Sequence, residues 1–224
     1  MHVILYGASG QIGRSVLDEL LSRGHQVTAV VRNPDKLPEN VERVRDDLSS
    51  ADRIAATITG ADAVVSAYAP PRDDTDQLPH ATERLITAVR RTGVPRLIVV
   101  GGCGSLEFSP GVTVLDSGHW PQELVPIAES HVKALEAFRA SDINWTYFSP
   151  PMEIEPGVRT GVFRLGGDSL IKDVQGNSRV SIQDYAVALV DELEKPAHER
   201  SRFTIGYRVY SQCTGLQPGG EANL

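Results

Sequence analysis

Three glycines near the start of the chain, Gly7, Gly10 and Gly13, have the GxxGxxG spacing of a phosphate-binding turn. They lie between a short apolar run, His2–Tyr6, and apolar residues at helical spacing, which predicts a strand, a turn and a helix. Gly7 permits a tight turn, Gly10 lets backbone amides approach a pyrophosphate, and Gly13 lets the helix pack closely. Because the helix N-terminus adds partial positive charge, the pattern predicts a dinucleotide site, to which Ser9 can add a hydroxyl. Glycines that only shape a turn are the alternative.

The end of the next apolar run indicates which nucleotide is bound. Sites that prefer NAD carry an acidic residue there for the ribose 2'-hydroxyl, whereas this chain has Val30-Val31-Arg32-Asn33. Arg32 can pair with a 2'-phosphate, so NADPH is the predicted cofactor and NADH the alternative. Arg14 either assists or is a solvated helix residue. Asp47 either accepts a bond from the adenine amino group or caps the following helix.

Strands and helices alternate along most of the chain. The predicted strands include Gln26–Val31, Val41–Arg45, Ala63–Ala67, Pro95–Gly101, Trp145–Phe148 and Phe203–Tyr207; the predicted helices include Ser50–Ile58, Gln77–Thr92, Pro121–Ala140 and Ile182–Glu194. This order predicts an α/β fold, a doubly wound parallel sheet with helices on both faces. We expect residues 1–210 to form one domain, with a small substrate-binding elaboration from about residue 150. The tail from Ser211 is predicted to be disordered.

Composition narrows the classes of partner. The 224 residues carry a net charge of −7 and lack the basic patch that nucleic-acid binding requires, so a small molecule is the expected partner. The two cysteines, Cys103 and Cys213, have no metal-ligand spacing and form no disulfide framework. No apolar run is long enough to cross a membrane and no signal peptide is evident, which favours a cytoplasmic location. The composition is also compatible with a homodimer.

Several segments together resemble a known superfamily. GASGQIG, Val-Val-Arg-Asn-Pro, Asp-Asp-Leu and Val-Gly-Gly-Cys-Gly-Ser resemble the atypical short-chain dehydrogenase/reductases. Asn144–Pro151, Arg159–Gly161 and Ser178–Ala186 are similar to its NAD(P)H-binding group, which includes NADH-flavin reductases, biliverdin-IXβ reductase and NmrA-like proteins. The likeness covers about residues 1 to 208. It implies a cofactor across the strand ends, in contact with Gly7, Ser9, Gly10, Gln11, Ile12, Arg32, Ala67, Tyr68, Gly101, Gly102, Pro150, Pro151 and Met152.

The resemblance also implies a proton donor that this chain lacks. Catalytic relatives carry Tyr-x-x-x-Lys, in which the lysine lowers the tyrosine pKa and fixes the ribose. The matching stretch is Glu129-Ser-His-Val-Lys133, so Lys133, the expected ribose contact, has no tyrosine four residues before it. Hydride transfer to an electron-poor ring tolerates this because the acceptor can take its proton from water.

Three residues are candidate replacements for the missing tyrosine, and each has a structural alternative. Ser105 is a hydrogen-bond donor or a turn former, His131 a titrating group or a packing histidine, and Glu153 an acid or base beside the expected pocket. Cys103 either lines the nicotinamide pocket or is a small buried thiol. His119 and Trp120 either form a lid over a flat substrate or anchor a loop.

Three functions follow from these residues. The first is an NAD(P)H-dependent reductase that transfers hydride to a flat conjugated acceptor such as flavin or quinone. The second is a non-catalytic NmrA-like redox sensor that binds dinucleotide. The third is a reductase, epimerase or dehydratase of one specialised metabolite, with Ser105, His131 or Glu153 in place of the tyrosine.

Overall fold

The computed structural model describes residues 1–207, in which strands and helices alternate. The strands are β1 His2–Tyr6, β2 Gln26–Val31, β3 Glu42–Arg45, β4 Ala63–Ser66, β5 Leu97–Val100, β6 Glu107–Ser109, β7 Val112–Thr113, β8 Trp145–Ser149, β9 Glu153–Glu155, β10 Arg164–Gly166, β11 Arg179–Ser181 and β12 Ser201–Gly206. The helices are α1 Gln11–Ser22, α2 Ala51–Ile58, α3 Gln77–Thr92, α4 Val125–Arg139 and α5 Ile182–Glu194. The tail predicted from Ser211 lies outside the described residues.

Eight of the strands form the central sheet, in the order β10-β12-β8-β5-β4-β1-β2-β3. All neighbours are parallel except β10, which runs antiparallel to β12. The order reverses beside β1, where Tyr6 pairs with Val30 of β2 on one side and Ser66 of β4 on the other. The turns that leave these three strands therefore begin at one level, at the switch point where such sheets bind ligands.

Helices cover both faces of this sheet, and each face has its own apolar core. Apolar residues of α1 and α5 pack with one face, and those of α2, α3 and α4 with the other. Strands buried on both faces are expected to be continuously apolar; Leu97–Val100 has this composition, and so does Ala63–Ser66 apart from its last residue. The predicted doubly wound α/β fold is confirmed. Within residues 1–207, no helix has the length and hydrophobicity needed to cross a membrane.

The structure differs from the sequence-based prediction mainly around the loops after β5 and β8. The helix predicted from Pro121 begins at Val125, because Gln122–Leu124 forms a 3-10 turn before it. The short antiparallel pair β6 and β7 and the parallel pair β9 and β11 were not predicted. Strands of two or three residues carry too little alternation to be detected in a sequence. The part after residue 150 also contributes to the central sheet, because β12 pairs with β8.

The loop between β9 and β10 is held to α5 by one buried carboxylate. Asp184 is fully buried and accepts hydrogen bonds from the backbone amides of Thr160 and Gly161, both at 2.8 Å, and from the Tyr207 hydroxyl at 2.7 Å. Burial by itself raises the pKa of Asp184, but the hydrogen bonds from Thr160, Gly161 and Tyr207 outweigh it and keep that pKa below its ordinary value. The ionised form of this side chain therefore stabilises the fold.

We predict that Asp184→Asn lowers the free energy of unfolding at pH 7 by about 1–3 kcal/mol, because an amide cannot accept all of these bonds. A carboxyl whose folded pKa lies below its unfolded value of about 3.9 contributes stability above that pH and loses it as the pH falls further. Urea unfolding between pH 7 and pH 3 should therefore show a smaller acid loss in Asp184→Asn than in the wild type. Parallel pH curves for the two proteins would contradict the assignment.

Candidate functional site

The turn after β1 depends on backbone contacts that a side chain would block. Gly7 has a φ of 77°, and a Cβ there would lie 2.3 Å from the carbonyl oxygen of Ala67. A Cβ on Gly13 would lie 2.1 Å from the carbonyl oxygen of Gly7. The N-terminal end of α1 therefore packs directly on the backbone of the glycine loop at Gly7. The same loop contacts the backbone of the segment after β4.

The N-terminus of α1 is open to an anion. Gly10 is the N-cap residue, no side chain caps the helix, and its first turn contains no acidic residue. The first backbone amides of a helix have no partners within the helix, and its dipole favours negative charge at this end. Gln11 and Ile12 belong to this first turn, and Ser9 precedes it. These residues fit a diphosphate group.

A groove of about 570 Å³ extends from this turn across the ends of β1, β2 and β3. Its lining includes Tyr6, Gly7, Ser9, Gly10, Val30, Val31, Arg32, Asn33, Lys36, Asp46, Asp47, Leu48, Tyr68 and Ala69. Of the predicted cofactor residues, the structure brings six to this groove: Gly7, Ser9, Gly10, Arg32, Asp47 and Tyr68. Ala67 contacts the turn through its backbone.

The far end of the groove is basic. Arg32 is exposed and forms no salt bridge with another described residue. Lys36 lines the same groove, although the sequence analysis did not predict it as a cofactor residue. Lys36 ends a 3-10 turn, Pro34–Lys36, which the Asn33 side chain caps by accepting a 3.1 Å bond from the Asp35 amide, and it lines the same groove as Arg32. The Asn-Pro-Asp segment was the signal that could have revealed this turn.

Two adjacent carboxylates, Asp46 and Asp47, also line the groove. Asp47 accepts bonds from the Ser49 amide at 3.1 Å and from the Arg53 guanidinium at 2.8 Å, and hydrogen bonding with Ser49 lowers its pKa. The helix that follows is capped by Ser50, so the interpretation of Asp47 as its cap was wrong. Asp46, which was not predicted, is buried and accepts the Asp47 amide at 2.7 Å. It supports the loop that carries Asp47.

A second cavity, of about 200 Å³, lies at the ends of β5 and β8. It is lined by Gly101, Gly102, Cys103, Gly104, Trp120, Ile127, Ala128, His131, Pro150, Pro151, Met152 and Ile154. Burial raises the pKa of the Cys103 thiol to about 12 and lowers the pKa of the His131 imidazole to about 4. Because no Asp, Glu, Lys or Arg is in this lining, the cavity carries no charge at neutral pH. We call it the apolar cavity.

The two glycines after β5 make room for two polar side chains. A Cβ on Gly101 would lie 2.1 Å from the Tyr147 ring, and one on Gly102 would lie 2.7 Å from the His131 ring. The hydroxyl of Tyr147 accepts a bond from the Gly102 amide at 3.1 Å and lies 3.0 Å from Nδ1 of His131. Tyr147 was not predicted as a site residue, since a tyrosine in a buried strand has no distinct sequence signal.

Three further predicted site residues line neither the groove nor the apolar cavity. The Ser105 hydroxyl accepts a 2.8 Å bond from Arg202, which holds it against β12. Lys133 is exposed on α4 and contacts Asp76 at 3.3 Å. Glu153 is exposed on β9 and lines a different cavity of about 360 Å³ between β9 and β11. The structure therefore brings only His131, of the three candidate proton donors, to the apolar cavity.

The loop before α4 separates its two predicted lid residues. Trp120 lines the apolar cavity and packs with Met152 in a small apolar cluster. His119 is exposed, and its ring stacks on Phe108 with centroids 5.0 Å apart. Trp120 is thus part of the wall, whereas His119 supports the outer surface of the same loop.

We predict that Gly13→Ala weakens dinucleotide binding by more than about tenfold and lowers stability by about 1–3 kcal/mol. The added methyl group meets the Gly7 carbonyl at 2.1 Å, and this clash exceeds the gain of about 1 kcal/mol in helix propensity. Fluorescence titration with NAD(P)H and thermal unfolding provide the two measurements. Gly167→Ala is the matched control, because a methyl group there meets nothing within 4 Å. Wild-type affinity in Gly13→Ala would contradict the close contact.

Comparisons with known proteins identify the family of this chain. Residues 7–196 match the family described as NAD(P)H-binding. The uncharacterized protein YwnB of Bacillus subtilis (strain 168) is 37% identical over 210 residues, which cover 92% of this chain and 98% of YwnB.

Two solved structures share both the fold and much of the sequence. A "putative epimerase" from Bacteroides thetaiotaomicron has a TM-score of 0.87 and 41% identity, and the match covers 94% of this chain and 99% of that one. A "putative NADH-flavin reductase" from Streptococcus pneumoniae TIGR4 has a TM-score of 0.84 and 32% identity, with 92% and 99% covered. The predicted resemblance to the atypical short-chain dehydrogenase/reductases is confirmed, and the chain belongs to the NAD(P)H-binding family.

Proposed function

We propose that this protein is an NADPH-dependent reductase that transfers hydride to a flat conjugated acceptor such as a flavin or a quinone. The observation that carries the proposal is the apolar cavity, which is uncharged and lies at the C-terminal ends of β5 and β8. The groove lined by Gly10 and Arg32 lies along the same edge of the sheet. An apolar pocket with a few polar groups favours an uncharged ring over an ionised substrate, since a buried charge without a partner is costly.

Each wall of the site has its own task. The backbone amides around Gly10 bind the diphosphate, and Arg32 and Lys36 bind the 2'-phosphate. Met152 and Trp120 exclude water from the apolar cavity and provide flat or flexible surfaces for a ring. When bound, NADPH supplies the hydride, and the acceptor takes its proton from water.

The ionisable groups of the apolar cavity favour an acceptor that needs no strong acid. With a pKa of about 4 for His131 and about 12 for Cys103, neither group is a good proton donor near neutral pH. The neutral His131 imidazole can still form a hydrogen bond with a ring heteroatom. Reduction of an ordinary ketone requires a proton in the transition state, which flavins and quinones do not require from the protein. The relative named a "putative NADH-flavin reductase" is consistent with this class of acceptor.

The basic residues that follow β2 favour NADPH over NADH. Val31 ends β2, and no acidic residue stands there to accept a bond from a 2'-hydroxyl. Arg32 and Lys36 line the groove immediately after this strand. Two cations at that position interact with a 2'-phosphate dianion much more strongly than with a neutral hydroxyl.

The acceptor class is tested by measuring NADPH oxidation with a panel of flavins and quinones, and with simple ketones and aldehydes as the contrasting set. We expect turnover with flat conjugated acceptors and little with the simple carbonyl compounds. Tight dinucleotide binding without turnover on any acceptor would refute the reductase and favour a sensor.

The cofactor preference is tested by Arg32→Ala. Loss of a charge-assisted contact of about 1.5–3 kcal/mol should raise the Kd for NADPH by about 10- to 150-fold and leave the Kd for NADH nearly unchanged. Calorimetry with both nucleotides measures the two changes. Arg90→Ala is the control, because Arg90 is an exposed arginine on α3 that pairs with Asp142 away from the groove. An equal increase in the Kd for NADPH and the Kd for NADH in Arg32→Ala would show that this guanidinium does not bind the 2'-phosphate.

A further inference from the structure

The hydrogen bonds of one buried hydroxyl determine the tautomer of His131. Tyr147 is 1% exposed, and its hydroxyl donates to the His131 carbonyl oxygen at 3.0 Å. The same oxygen accepts the Gly102 amide at 3.1 Å and lies 3.0 Å from Nδ1 of His131. A phenol has a single proton, which the carbonyl already receives, so Nδ1 must donate to the phenol oxygen. The proton of the neutral imidazole is therefore on Nδ1, and Nε2 keeps a free lone pair.

Contacts on the other sides of the ring leave Nε2 facing the apolar cavity. Cγ and Cδ2 of His131 lie closest to the position that a Cβ on Gly102 would take, and Nδ1 meets Tyr147. Nε2 forms no hydrogen bond with residues 1–207, and it does not belong to the fully enclosed, unpartnered polar atoms of that part of the chain. Because His131 lines the apolar cavity, Nε2 is reached from there.

A hydrogen-bond acceptor in an uncharged cavity selects ligands by the donors that they carry. Burial lowers the pKa of His131 to about 4, so Nε2 stays unprotonated at pH 7. A ligand that fills the cavity removes Nε2 from water, and this costs free energy unless the ligand supplies an N–H or O–H. The proposed acceptors differ in this respect. The isoalloxazine ring of a flavin has an N–H at N3, between two carbonyl groups, whereas a simple quinone has carbonyl oxygens alone.

We propose that His131 is a specificity-determining residue: its unprotonated Nε2 accepts a hydrogen bond from N3–H of a flavin and so selects flavins over acceptors without an N–H or O–H. This inference rests on the proposed function and names the substrate class within it. A site with a buried polar group discriminates strongly against an analogue that cannot pair with that group. Tyr147 contributes by holding the imidazole proton on Nδ1.

Riboflavin and 3-methylriboflavin test this hydrogen bond, because a methyl group replaces the N3 proton in the second. With NADPH as reductant, we expect kcat/KM for riboflavin to exceed that for 3-methylriboflavin by about tenfold or more. His131→Phe retains a ring but loses the lone pair, so the ratio should fall toward one. Equal turnover of the two flavins by the wild type would overturn the proposal. So would an unchanged ratio in His131→Phe, which would indicate that the methyl group is excluded by size.

His119→Phe is the matched control. His119 is exposed, stacks on Phe108, and is not in the lining of the apolar cavity. This variant should keep the wild-type ratio. A loss of selectivity equal to that of His131→Phe would overturn the assignment to Nε2.

NMR of the full chain with ¹⁵N-labelled histidine at pH 7 tests the same bond without turnover, and it decides the matter if His131→Phe does not fold. After sequential assignment, we expect His131 to be the Nδ1–H tautomer. Its Nε2 resonance should shift when riboflavin binds and change little with 3-methylriboflavin. An Nε2–H tautomer, no shift with riboflavin, or equal shifts with the two flavins would overturn the proposal.

This proposal and the proposed function can fail separately. Turnover of simple quinones and 3-methylriboflavin as fast as that of riboflavin would leave the reductase intact and overturn the role of His131. Conversely, a shift of Nε2 that riboflavin alone produces, without turnover on any acceptor, would refute the reductase but support His131 as a flavin-binding residue.

Discussion

The contact of α1 with the backbone of the turn before it is the constraint on which the rest of the site depends. Gly13 lies over the Gly7 carbonyl, and Gly7 lies against the carbonyl of Ala67 after β4. These contacts join the first helix to the two strands that flank the switch point of the sheet. Because both partners in each contact are backbone, no side-chain rearrangement can absorb an added methyl group. The position of the helix N-terminus, where we propose that the diphosphate binds, follows from this packing.

Glycines also allow close contacts at the end of β5, but there they contact side chains. Gly101 and Gly102 admit the side chains of Tyr147 and His131 rather than a backbone. The first glycine turn faces a groove with cations at its far end, whereas the second borders a cavity without charge. The two sites therefore differ in charge, although both lie along one edge of one sheet.

The part of the chain after residue 150 both supports the sheet and forms a wall of the site. Met152 and Ile154 line the apolar cavity, and α5 packs against α1 on one face of the sheet. Glu19 of α1 connects this helix to the loop between β9 and β10. It is buried, and it accepts hydrogen bonds from Arg159 of that loop and from Arg23. The hydrogen bond from Arg159 is the main cause of the lowered pKa of Glu19. A buried charge is stable only when paired in this way. The ion pair with Glu19 therefore fixes the position of the loop that carries Arg159.

The sequence by itself determined the α/β class, the nucleotide turn and the bounds of several elements, among them β1, β2, α3 and α5. Such features arise from neighbours within a few residues: apolar periodicity, a glycine after a helix, a serine cap. Only the tertiary structure decided which polar side chains reach the apolar cavity. Ser105 is held by Arg202, 97 residues away, and His131 by Tyr147, 16 residues away. Partners so far apart meet only when the sheet brings their strands and helices together, and they leave no local pattern in the chain.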